Sequence, residues 1–328
     1  MTGRGRADDV RRPRVVVNSI PKSGTNLLKR ALDLLGFRDC NATASRSRWY
    51  QQFVDATGCG IPWSLHHGNL HRHVRARTYP GTTSSIPVGL RSTCPVPAVL
   101  IENWLNRLRP GEYMSGHVPF SSGFNDLLHS LDLRQVVIVR DPEAVLNSRM
   151  KYELNWSDIR YDHPAVRTLF SFLRRAADGL PHLDVSMERE LRQRPPEERV
   201  RFLLFGGTSI EGNRVMGLHE QYKQILPWVE ADHTQVVRFR NLVGPRGGGS
   251  GPEQVRTIST LCEFLDLPFS DHAMEHVASS TYDSASKTFR QGTTRSEHMT
   301  LPDRAEPDLR TCLDDIHKML EEHGIEAS

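Results

Sequence analysis

The segment Pro21-Lys22-Ser23-Gly24-Thr25 holds the residues of this chain that are best suited to chemistry. It follows the apolar run Val15-Val16-Val17 and precedes residues 26–35, where leucines and an alanine recur at helical spacing. This order predicts a buried strand, a tight turn and an amphipathic helix that stops at Gly36. Such a turn directs backbone N–H groups and the positive end of the helix dipole to one place, where the lysine adds a full charge. The segment therefore predicts a phosphate or sulfate site; the alternative is a strand–helix corner with an exposed lysine.

This turn differs from the phosphate loop of ordinary ATP and GTP enzymes. That loop has the pattern G-x-x-x-x-G-K-[ST], with its lysine directly after the second glycine. Here Lys22 precedes Gly24 by two positions, and no glycine opens the turn. The lysine therefore enters the anion site from another direction, which argues against an ordinary ATP or GTP enzyme.

A second candidate anion site begins at Arg140, directly after the β-branched run Val136-Val137-Ile138-Val139. Asp141 and the proline after it are typical of the N-cap and first position of a helix. Ser148 would then stand roughly 10 Å along that helix, where it can share a phosphate with an arginine that reaches back over the turn. Arginine binds phosphate through two parallel hydrogen bonds. The alternative is an arginine that pairs with an acidic neighbour, Asp141 or Glu143.

Two further segments contain residue types that suit catalysis and ligand binding. His117 follows the strand-like stretch Glu112-Tyr113-Met114, and a histidine at a strand end can act as a general base near neutral pH. The polar segment Thr288-Phe289-Arg290-Gln291-Gly292 can fold as a loop over a ligand. The alternatives are a structural histidine and an ordinary surface loop.

The elements that must position these residues alternate along the chain. Strands are predicted at the apolar runs already named and at Val236-Val237-Arg238-Phe239; helices are predicted from residue 99, after Asp141, and over 188–204, 255–265 and 308–322. Residues 40–98 predict an irregular, pocket-forming excursion, and the glycine-rich stretch 244–251 predicts a mobile loop. The alternation predicts an α/β fold with a mainly parallel central sheet flanked by helices, whose ligand lies beyond the C-terminal ends of the strands.

Composition limits the classes of protein to which the chain can belong. Its 328 residues, 38% hydrophobic and 25% charged, predict a single domain over residues 14–328 behind a disordered basic tail, residues 1–13. Residues 1–14 carry the whole net charge of +3. The rest of the chain is neutral, so no broad basic surface for binding nucleic acid is expected. The five cysteines form no C-x-x-C pair, and the histidines at 66, 67, 71 and 73 lack ligand partners at suitable spacing, so no metal is expected. A cytoplasmic protein without a membrane span is expected.

Together these segments resemble one family, the sulfotransferases that use 3′-phosphoadenylyl sulfate (PAPS). Pro21-Lys22-Ser23-Gly24-Thr25 resembles their 5′-phosphosulfate loop, and Val139-Arg140-Asp141-Pro142 with Ser148 resembles their 3′-phosphate motif. Gly116-His117-Val118-Pro119 is similar to the segment that carries their catalytic histidine. Phe289-Arg290-Gln291-Gly292 is similar to the late segment that closes on the 3′-phosphate. The order of these motifs agrees as well, and the resemblance spans roughly residues 14–300.

The chain departs from the family pattern near these motifs. Leu27 or Leu28 replaces an aromatic residue that stacks on adenine, and Gln291 replaces a lysine of the late segment. Ser115 replaces a second lysine near the histidine, and Phe239-Arg240-Asn241-Leu242 stands where a Tyr-Glu-Asp-Leu pattern is usual. The resemblance therefore leaves the adenine contacts and the acceptor open.

The resemblance implies a P-loop NTPase-like sulfotransferase architecture and transfer of a sulfuryl group from PAPS to a hydroxyl or amine of a small-molecule or carbohydrate acceptor. His117 is implied as the general base and Lys22 as the group that stabilises the leaving phosphate, and no metal is required. The implied ligands of PAPS are Lys22, Ser23, Gly24, Thr25, Asn26, Arg140, Ser148, Arg290, Gln291 and Gly292.

Two other functions stay open on these residues. A P-loop-like small-molecule kinase would need a magnesium-binding aspartate after an apolar strand, which Asp141 imitates, and a standard Walker lysine, which the chain lacks. A non-catalytic nucleotide-binding protein of the same fold is favoured by Ser115 and Gln291 and disfavoured by His117. Product formation from a broad panel of acceptors separates these functions.

Overall fold

A computed structural model of the chain describes residues 12–40, 84–91, 93–154, 187, 190–210, 212, 214–282 and 307–325. Arg290, Gln291 and Gly292 lie outside these residues, as do residues 1–11, the cluster of histidines at 66–73 and the larger part of the excursion predicted over 40–98. The described residues contain every other candidate site residue named above.

A parallel sheet forms the centre of the described chain. Five strands pair in the order β2-β5-β1-β6-β9, and each of these pairs is parallel. Two antiparallel hairpins, β3-β4 and β7-β8, lie outside it. The strands are β1 (Arg14–Ser19), β2 (Arg38–Asp39), β3 (Ser85–Val88), β4 (Cys94–Pro97), β5 (Glu112–Gly116), β6 (Leu133–Val139), β7 (Gly206–Thr208), β8 (Arg214–Met216) and β9 (Thr234–Arg238).

Helices cover both faces of this sheet. The α-helices of the described residues are α1 (Thr25–Leu34), α2 (Ala98–Leu105), α3 (Ser122–Ser130), α4 (Pro142–Leu154), α5 (Pro196–Phe205), α6 (Leu218–Ile225), α7 (Phe239–Val243), α8 (Gly251–Phe264), α9 (Asp271–Thr281) and α10 (Pro307–Glu322). Successive side chains of a strand point to opposite faces. In β1, Val15 and Val17 accordingly pack with α1, α7, α8 and α9, whereas Val16 packs with the cluster formed by α2–α6 and α10. The sheet therefore separates two apolar cores, and this arrangement confirms the predicted α/β fold.

The first strand–turn–helix unit forms as its sequence predicts. The side chains of Val15, Val16 and Val17 are fully buried in β1, and α1 buries the stripe Leu27, Leu28, Ala31 and Leu32. Gly36 follows the helix with a φ of 84°, the left-handed conformation that ends many helices. The turn between Ser19 and Thr25 is thereby held at both ends by core packing.

The structure differs from the sequence prediction in three places. The end of the 40–98 excursion is a regular hairpin, β3-β4, followed by α2. The helix predicted over 188–204 is interrupted because Pro195 is extended, with a ψ of 151°, before a second proline begins α5. The predicted loop 244–251 is a tight turn in which the N–H of Gly249 donates to the carbonyl of Gly244 over 2.8 Å.

Within the described residues, none of the helices is long and apolar enough to cross a membrane.

Candidate functional site

Three candidate segments and the segment at Phe239 follow four neighbouring strands of the sheet. The strand order β5-β1-β6-β9 places His117, the turn at Lys22, Arg140 and Phe239 in a row, each just beyond the C-terminal end of its strand. The C-terminal edge of a parallel sheet is where α/β folds bind their ligands. The topology therefore brings together segments that lie between 23 (His117 to Arg140) and 217 (Lys22 to Phe239) positions apart in the chain.

The turn between β1 and α1 has the backbone of an anion site. Lys22 and Gly24 have φ values of 76° and 109°, and such a left-handed conformation is uncommon and costly for a lysine. The Ser23 N–H donates to the carbonyl of Ile20 over 3.1 Å, and the Gly24 carbonyl accepts the first hydrogen bonds of α1. The first N–H groups of a helix have no partner within the helix, so here they point out of the turn.

The hydroxyl of Ser23 points to a missing ligand at this turn. The side chain is fully buried, and among the described residues its Oγ has no hydrogen-bond partner. Leaving a buried hydroxyl unpaired costs roughly 1–3 kcal/mol. An anion bound at the turn would supply the missing acceptor.

His117 is held in one orientation by β1. Its Nδ1 lies 2.6 Å from the carbonyl oxygen of Ser19 and 3.3 Å from the Ser19 hydroxyl. A carbonyl oxygen can only accept a hydrogen bond, so Nδ1 carries the proton and Nε2 has the lone pair. The Ser19 hydroxyl also lies 2.6 Å from the hydroxyl of Thr25, which begins α1. The histidine is therefore tied directly to the anion turn.

Asn18 fixes the backbone next to this histidine. Its side-chain amide donates to the carbonyl of Val118 over 2.9 Å, and its carbonyl oxygen accepts from the Val118 N–H over 2.9 Å. The indole of Trp228 donates to the same Val118 carbonyl over 3.1 Å. Asn18 and Val118 are fully buried. This bracing sets the position of His117 relative to the turn at Lys22.

Arg140 lies against the other side of the turn. Its Nη1 donates to the carbonyl of Lys22 over 3.4 Å, and its guanidinium lies 4.1 Å from the centre of the Phe239 ring. The same ring borders the turn, because a Cβ placed on Gly24 would come within 2.4 Å of Phe239. Phe239 thus borders both predicted anion motifs, which the hydrogen bond from Arg140 to Lys22 brings into direct contact.

Burial changes the electrostatics of Arg140. Its desolvation lowers the pKa of the guanidinium, while Tyr222 and Asp141 act in the opposite direction. The Tyr222 hydroxyl donates to the Arg140 carbonyl, and burial raises the pKa of this phenol well above its usual value. The Asp141 carboxylate accepts from the Ala144 N–H over 2.9 Å, which confirms the predicted N-cap of α4. A desolvated guanidinium interacts more strongly with a bound anion than one in water.

Helix α4 carries the remaining candidate, Ser148, towards the turn. The Nζ of Lys22 lies 4.0 Å from the centre of the Tyr152 ring. Ser148 precedes Tyr152 by one helical turn, so the two share a face of α4. Ser148 is half-buried. Lys22 therefore contacts Arg140 on one side and, through Tyr152, the face of α4 on which Ser148 lies.

Sequence reasoning missed three residues that shape this region. Phe239 belongs to a segment noted only as a departure from the family pattern, and Tyr152 carried no signal beyond its spacing from Ser148. In the sequence, Asn18 is one polar residue at the end of an apolar strand. Only its burial in the structure distinguishes it from an ordinary polar residue at a strand end. Ser115, which replaces a lysine of the family pattern, is itself buried in β5.

Residues 12–179 match the sulfotransferase domain, about half of the chain and most of the motifs at this site. The chain belongs to the sulfotransferase family. Its α/β architecture is accordingly that of a sulfotransferase, and the function to expect in general terms is sulfuryl transfer. No curated protein gives a significant match to the chain.

A solved sulfotransferase and a solved retinol dehydratase give distant structural matches. Mouse sulfotransferase SULT7A1 complexed with PAP is 12% identical, with 94% of this chain and 85% of that chain covered and a TM-score of 0.46. A retinol dehydratase in complex with androsterone and the inactive cofactor PAP is 9% identical, with 96% and 81% covered and a TM-score of 0.42. At these values the likeness carries no argument about the substrate of this sulfotransferase.

A cluster of Asp141, Glu143 and His317 lies at the first turn of α4. Their ligand-type atoms fall within 4.8 Å of one another, the spacing of a metal site. His317 Nε2 lies 3.0 Å from a Glu143 oxygen and Asp141 caps the helix, whereas His317 Nδ1 has no hydrogen-bond partner among the described residues. The hydrogen bond to Glu143 raises the pKa of His317. Burial opposes ionisation of Glu143, but His317 outweighs it and the pKa of Glu143 is lowered. We interpret the cluster as an ion pair that fastens α10 to α4.

This pair predicts a pH-dependent stability for the sulfotransferase. The raised pKa of His317 gives stability that is complete below about pH 6.5 and is lost as pH rises through that pKa. The lowered pKa of Glu143 gives stability that is present above about pH 4.5 and is lost as pH falls through that pKa. Burial and then Glu143 raise the pKa of Asp141, so a separate part of the stability is lost as pH rises from about 4 through that raised pKa. We expect Tm to fall between pH 6 and pH 8.

The measurement is a thermal melt at both pH values for the wild type and His317→Gln. Between pH 6 and pH 8, Tm of His317→Gln should fall by roughly 2 °C less than Tm of the wild type. The difference is small because such partly exposed pairs contribute about 1 kcal/mol or less. His272→Gln, at an exposed position of α9, is the control. An equal fall in the wild type and His317→Gln would contradict the assignment.

Proposed function

We propose that this sulfotransferase transfers a sulfuryl group from PAPS to a hydroxyl or amine of a small-molecule or carbohydrate acceptor. In this proposal His117 is the general base and Lys22 stabilises the leaving phosphate. The observation that carries it is the contact of three motifs at one sheet edge: His117 with Ser19, Ser19 with Thr25, and Arg140 with Lys22.

The 5′ end of the donor fits the turn at Lys22. The buried, unpaired hydroxyl of Ser23 and the N–H groups that open α1 are donors suited to phosphate oxygens. The assigned ligands here are Lys22, Ser23, Gly24, Thr25 and Asn26. The N-terminus of α1 and the Lys22 ammonium both favour the negative charge that a phosphosulfate brings.

The 3′-phosphate is assigned to the second motif. Arg140 and Ser148 are its ligands, and Arg290, Gln291 and Gly292, which lie outside the described residues, complete the set in this proposal. The guanidinium of Arg140 is desolvated and held against Phe239, so its orientation is fixed before the donor binds. Leu27 and Leu28 are buried in the core, so adenine stacking on this stretch of α1 is not part of the proposal.

The residues then perform an in-line transfer. The acceptor oxygen or nitrogen forms a bond to sulfur while the bond from sulfur to the bridging phosphate oxygen breaks. The acceptor proton passes to Nε2 of His117, the nitrogen that the Ser19 carbonyl leaves unprotonated. The electron pair of the broken bond stays on the leaving phosphate, where the Lys22 ammonium offsets the new charge. Positioning and charge stabilisation supply most of the acceleration in such a loose transition state.

Arg140→Ala tests the donor assignment directly. Isothermal titration calorimetry with adenosine 3′,5′-bisphosphate should show binding about 10- to 100-fold weaker in the variant, the effect of losing hydrogen bonds to a charged group. Adenosine 5′-monophosphate lacks the 3′-phosphate, and its weaker binding should not change. Equal loss for both nucleotides, or no loss for either, would refute the assigned role of Arg140.

The same calorimetry separates the alternative functions. Binding of ATP with magnesium in preference to the bisphosphate would favour a small-molecule kinase. Tight bisphosphate binding without product from a broad acceptor panel would favour a non-catalytic nucleotide-binding protein.

A further inference from the structure

A second arginine, Arg149, is buried next to the candidate site without a complete set of partners. Its side chain is fully buried on α4, and Nη1 donates to the Gln221 amide oxygen over 3.2 Å. Among the described residues, neither Nε nor Nη2 of Arg149 has a hydrogen-bond partner. Arginine in such a position is rarely left without an anion, because an unpaired buried charge is costly.

The unpaired atoms are the ones that bind an oxyanion. Nε and Nη2 form one edge of the guanidinium, and this edge makes two parallel hydrogen bonds to a carboxylate, sulfate or phosphate. Gln221 holds the opposite corner, and its own amide donates to the Met216 carbonyl over 2.7 Å. The guanidinium is therefore oriented by a buried partner, while its bidentate edge remains unused.

The acidic residue that follows Arg149 by one turn of α4 is paired with another arginine. Glu153 lies one turn further along the same face of α4 and is also fully buried. Its carboxylate forms an ion pair with Arg91, whose side chain is 14% exposed. Burial and then the charge of Arg91 lower the pKa of Arg149. Among the described residues no carboxylate forms an ion pair with Arg149, so an added anion would supply its counter-charge.

This cluster is connected to the candidate base. Arg91 lies in the turn between β3 and β4, and in the same turn the Gly89 N–H donates to the His117 carbonyl over 2.9 Å. The Arg91 carbonyl accepts from the Met216 N–H over 2.7 Å, next to the Met216 carbonyl that Gln221 contacts. The turn between β3 and β4 and the ion pair of Arg91 with Glu153 therefore connect the His117 backbone to the face of α4 that carries Arg149. Ser148 and Tyr152, which border Lys22, lie roughly 100° around the helix from that face.

We propose that Arg149 binds an oxyanion through its Nε–Nη2 edge and that this oxyanion is an acidic group of the sulfuryl acceptor. The binding of an oxyanion follows from the cluster itself, whereas its assignment to the acceptor rests on the proposed function. The substrate class is then an acceptor that carries a carboxylate, sulfate or phosphate besides its reacting hydroxyl or amine.

The oxyanion site is tested with inorganic sulfate as the probe. Thermal melts are recorded in sulfate and in chloride at equal ionic strength, with adenosine 3′,5′-bisphosphate present to occupy the turn at Lys22 and Arg140. Sulfate should raise Tm of the wild type and of Lys151→Met, an exposed cation on the same helix, but not of Arg149→Met. Arg149→Met should fold, because replacing a buried charge by an apolar side chain of similar size is often neutral or stabilising. A sulfate response that survives in Arg149→Met overturns the proposal.

A second measurement needs no variant. Equilibrium dialysis of wild-type protein with labelled sulfate, again with the bisphosphate present, should give one bound sulfate per chain. Absence of that sulfate, both with and without the bisphosphate, overturns the proposal whether or not Arg149→Met folds. If the bisphosphate itself displaces the sulfate, the oxyanion belongs to the donor and the acceptor assignment is wrong. These measurements do not require turnover, so their failure is distinct from failure of the proposed function.

The acceptor assignment is tested with paired acceptors. 4-Hydroxyphenylacetate and its neutral amide carry the same hydroxyl and differ only in the acidic group. The wild type should prefer the acid, and Arg149→Met should lower kcat/KM for the acid by about 10- to 100-fold, the effect of hydrogen bonds to a charged group. The amide should be unaffected. Equal loss for both acceptors would show that Arg149 acts on the fold and not on the acceptor.

Discussion

His117→Ala is expected to lower kcat by about 10²- to 10⁴-fold, the range for removal of a general base. The expectation rests on Nδ1, which the Ser19 carbonyl keeps protonated, so that Nε2 is the nitrogen assigned as the base in the proposed reaction. Turnover of an acceptor panel with PAPS is the measurement. Binding of adenosine 3′,5′-bisphosphate should stay within about threefold of the wild type, because the imidazole is assigned to the acceptor.

An exposed histidine of α9, His276, provides the matched control. His276→Ala should leave turnover and donor binding unchanged. His117→Ala with turnover near that of the wild type would remove the histidine from the mechanism. Loss of bisphosphate binding in parallel with turnover would instead indicate that the ring supports the turn at Lys22.

Lys22→Ala is expected to lower kcat by about 10²- to 10³-fold, the effect of removing one preorganised donor to a developing charge. The ammonium lies 4.0 Å from the centre of the Tyr152 ring, which restricts the side chain before the donor binds. Since the charge on the bridging oxygen develops in the transition state, the loss in kcat should exceed the loss in bisphosphate affinity. Steady-state kinetics and calorimetry on the same variant give the two numbers.

Lys22→Gly separates the side chain from the backbone. The φ of 76° at this position is costly for lysine and free of that cost for glycine. This variant should therefore be at least as stable as Lys22→Ala in a thermal melt while it is equally slow. Lys151→Ala, at an exposed position of α4, is the control for loss of a lysine. Turnover of either Lys22 variant within tenfold of the wild type would contradict the assigned role.

The sequence predicts the fold because its central elements are local and strongly patterned. Runs of β-branched residues strongly predict buried strands, as at Val15-Val16-Val17 and Val136-Val137-Ile138-Val139. The apolar stripe of α1 has the regular spacing of a helix. The hairpin β3-β4 escaped prediction because prolines alternate with its apolar residues, which hides the period of a strand. The break before α5 depends on two consecutive prolines inside an otherwise helical pattern.

The site was predictable where function depends on a contiguous motif. Lys22, Arg140 and His117 follow strand ends, and the topology brings these ends to one edge. The residues that hold the motifs in place could not be predicted in this way. Phe239 meets Arg140 across the sheet, and Asn18 meets Val118 a hundred residues away. Such pairings depend on strand order, which periodicity along the chain does not encode.

The parallel order of the central strands also governs when the site can exist. Its hydrogen bonds join residues 98, 100 and 118 positions apart, so each contact requires closure of a long stretch of chain. Pairings of this kind are costly in entropy and form late during folding. A polypeptide that is still leaving the ribosome therefore has no assembled pocket until β9 has emerged and Phe239 has reached Arg140. If the proposed function is correct, a truncated product that ends before β9 would therefore lack both the contact of Phe239 with Arg140 and the activity.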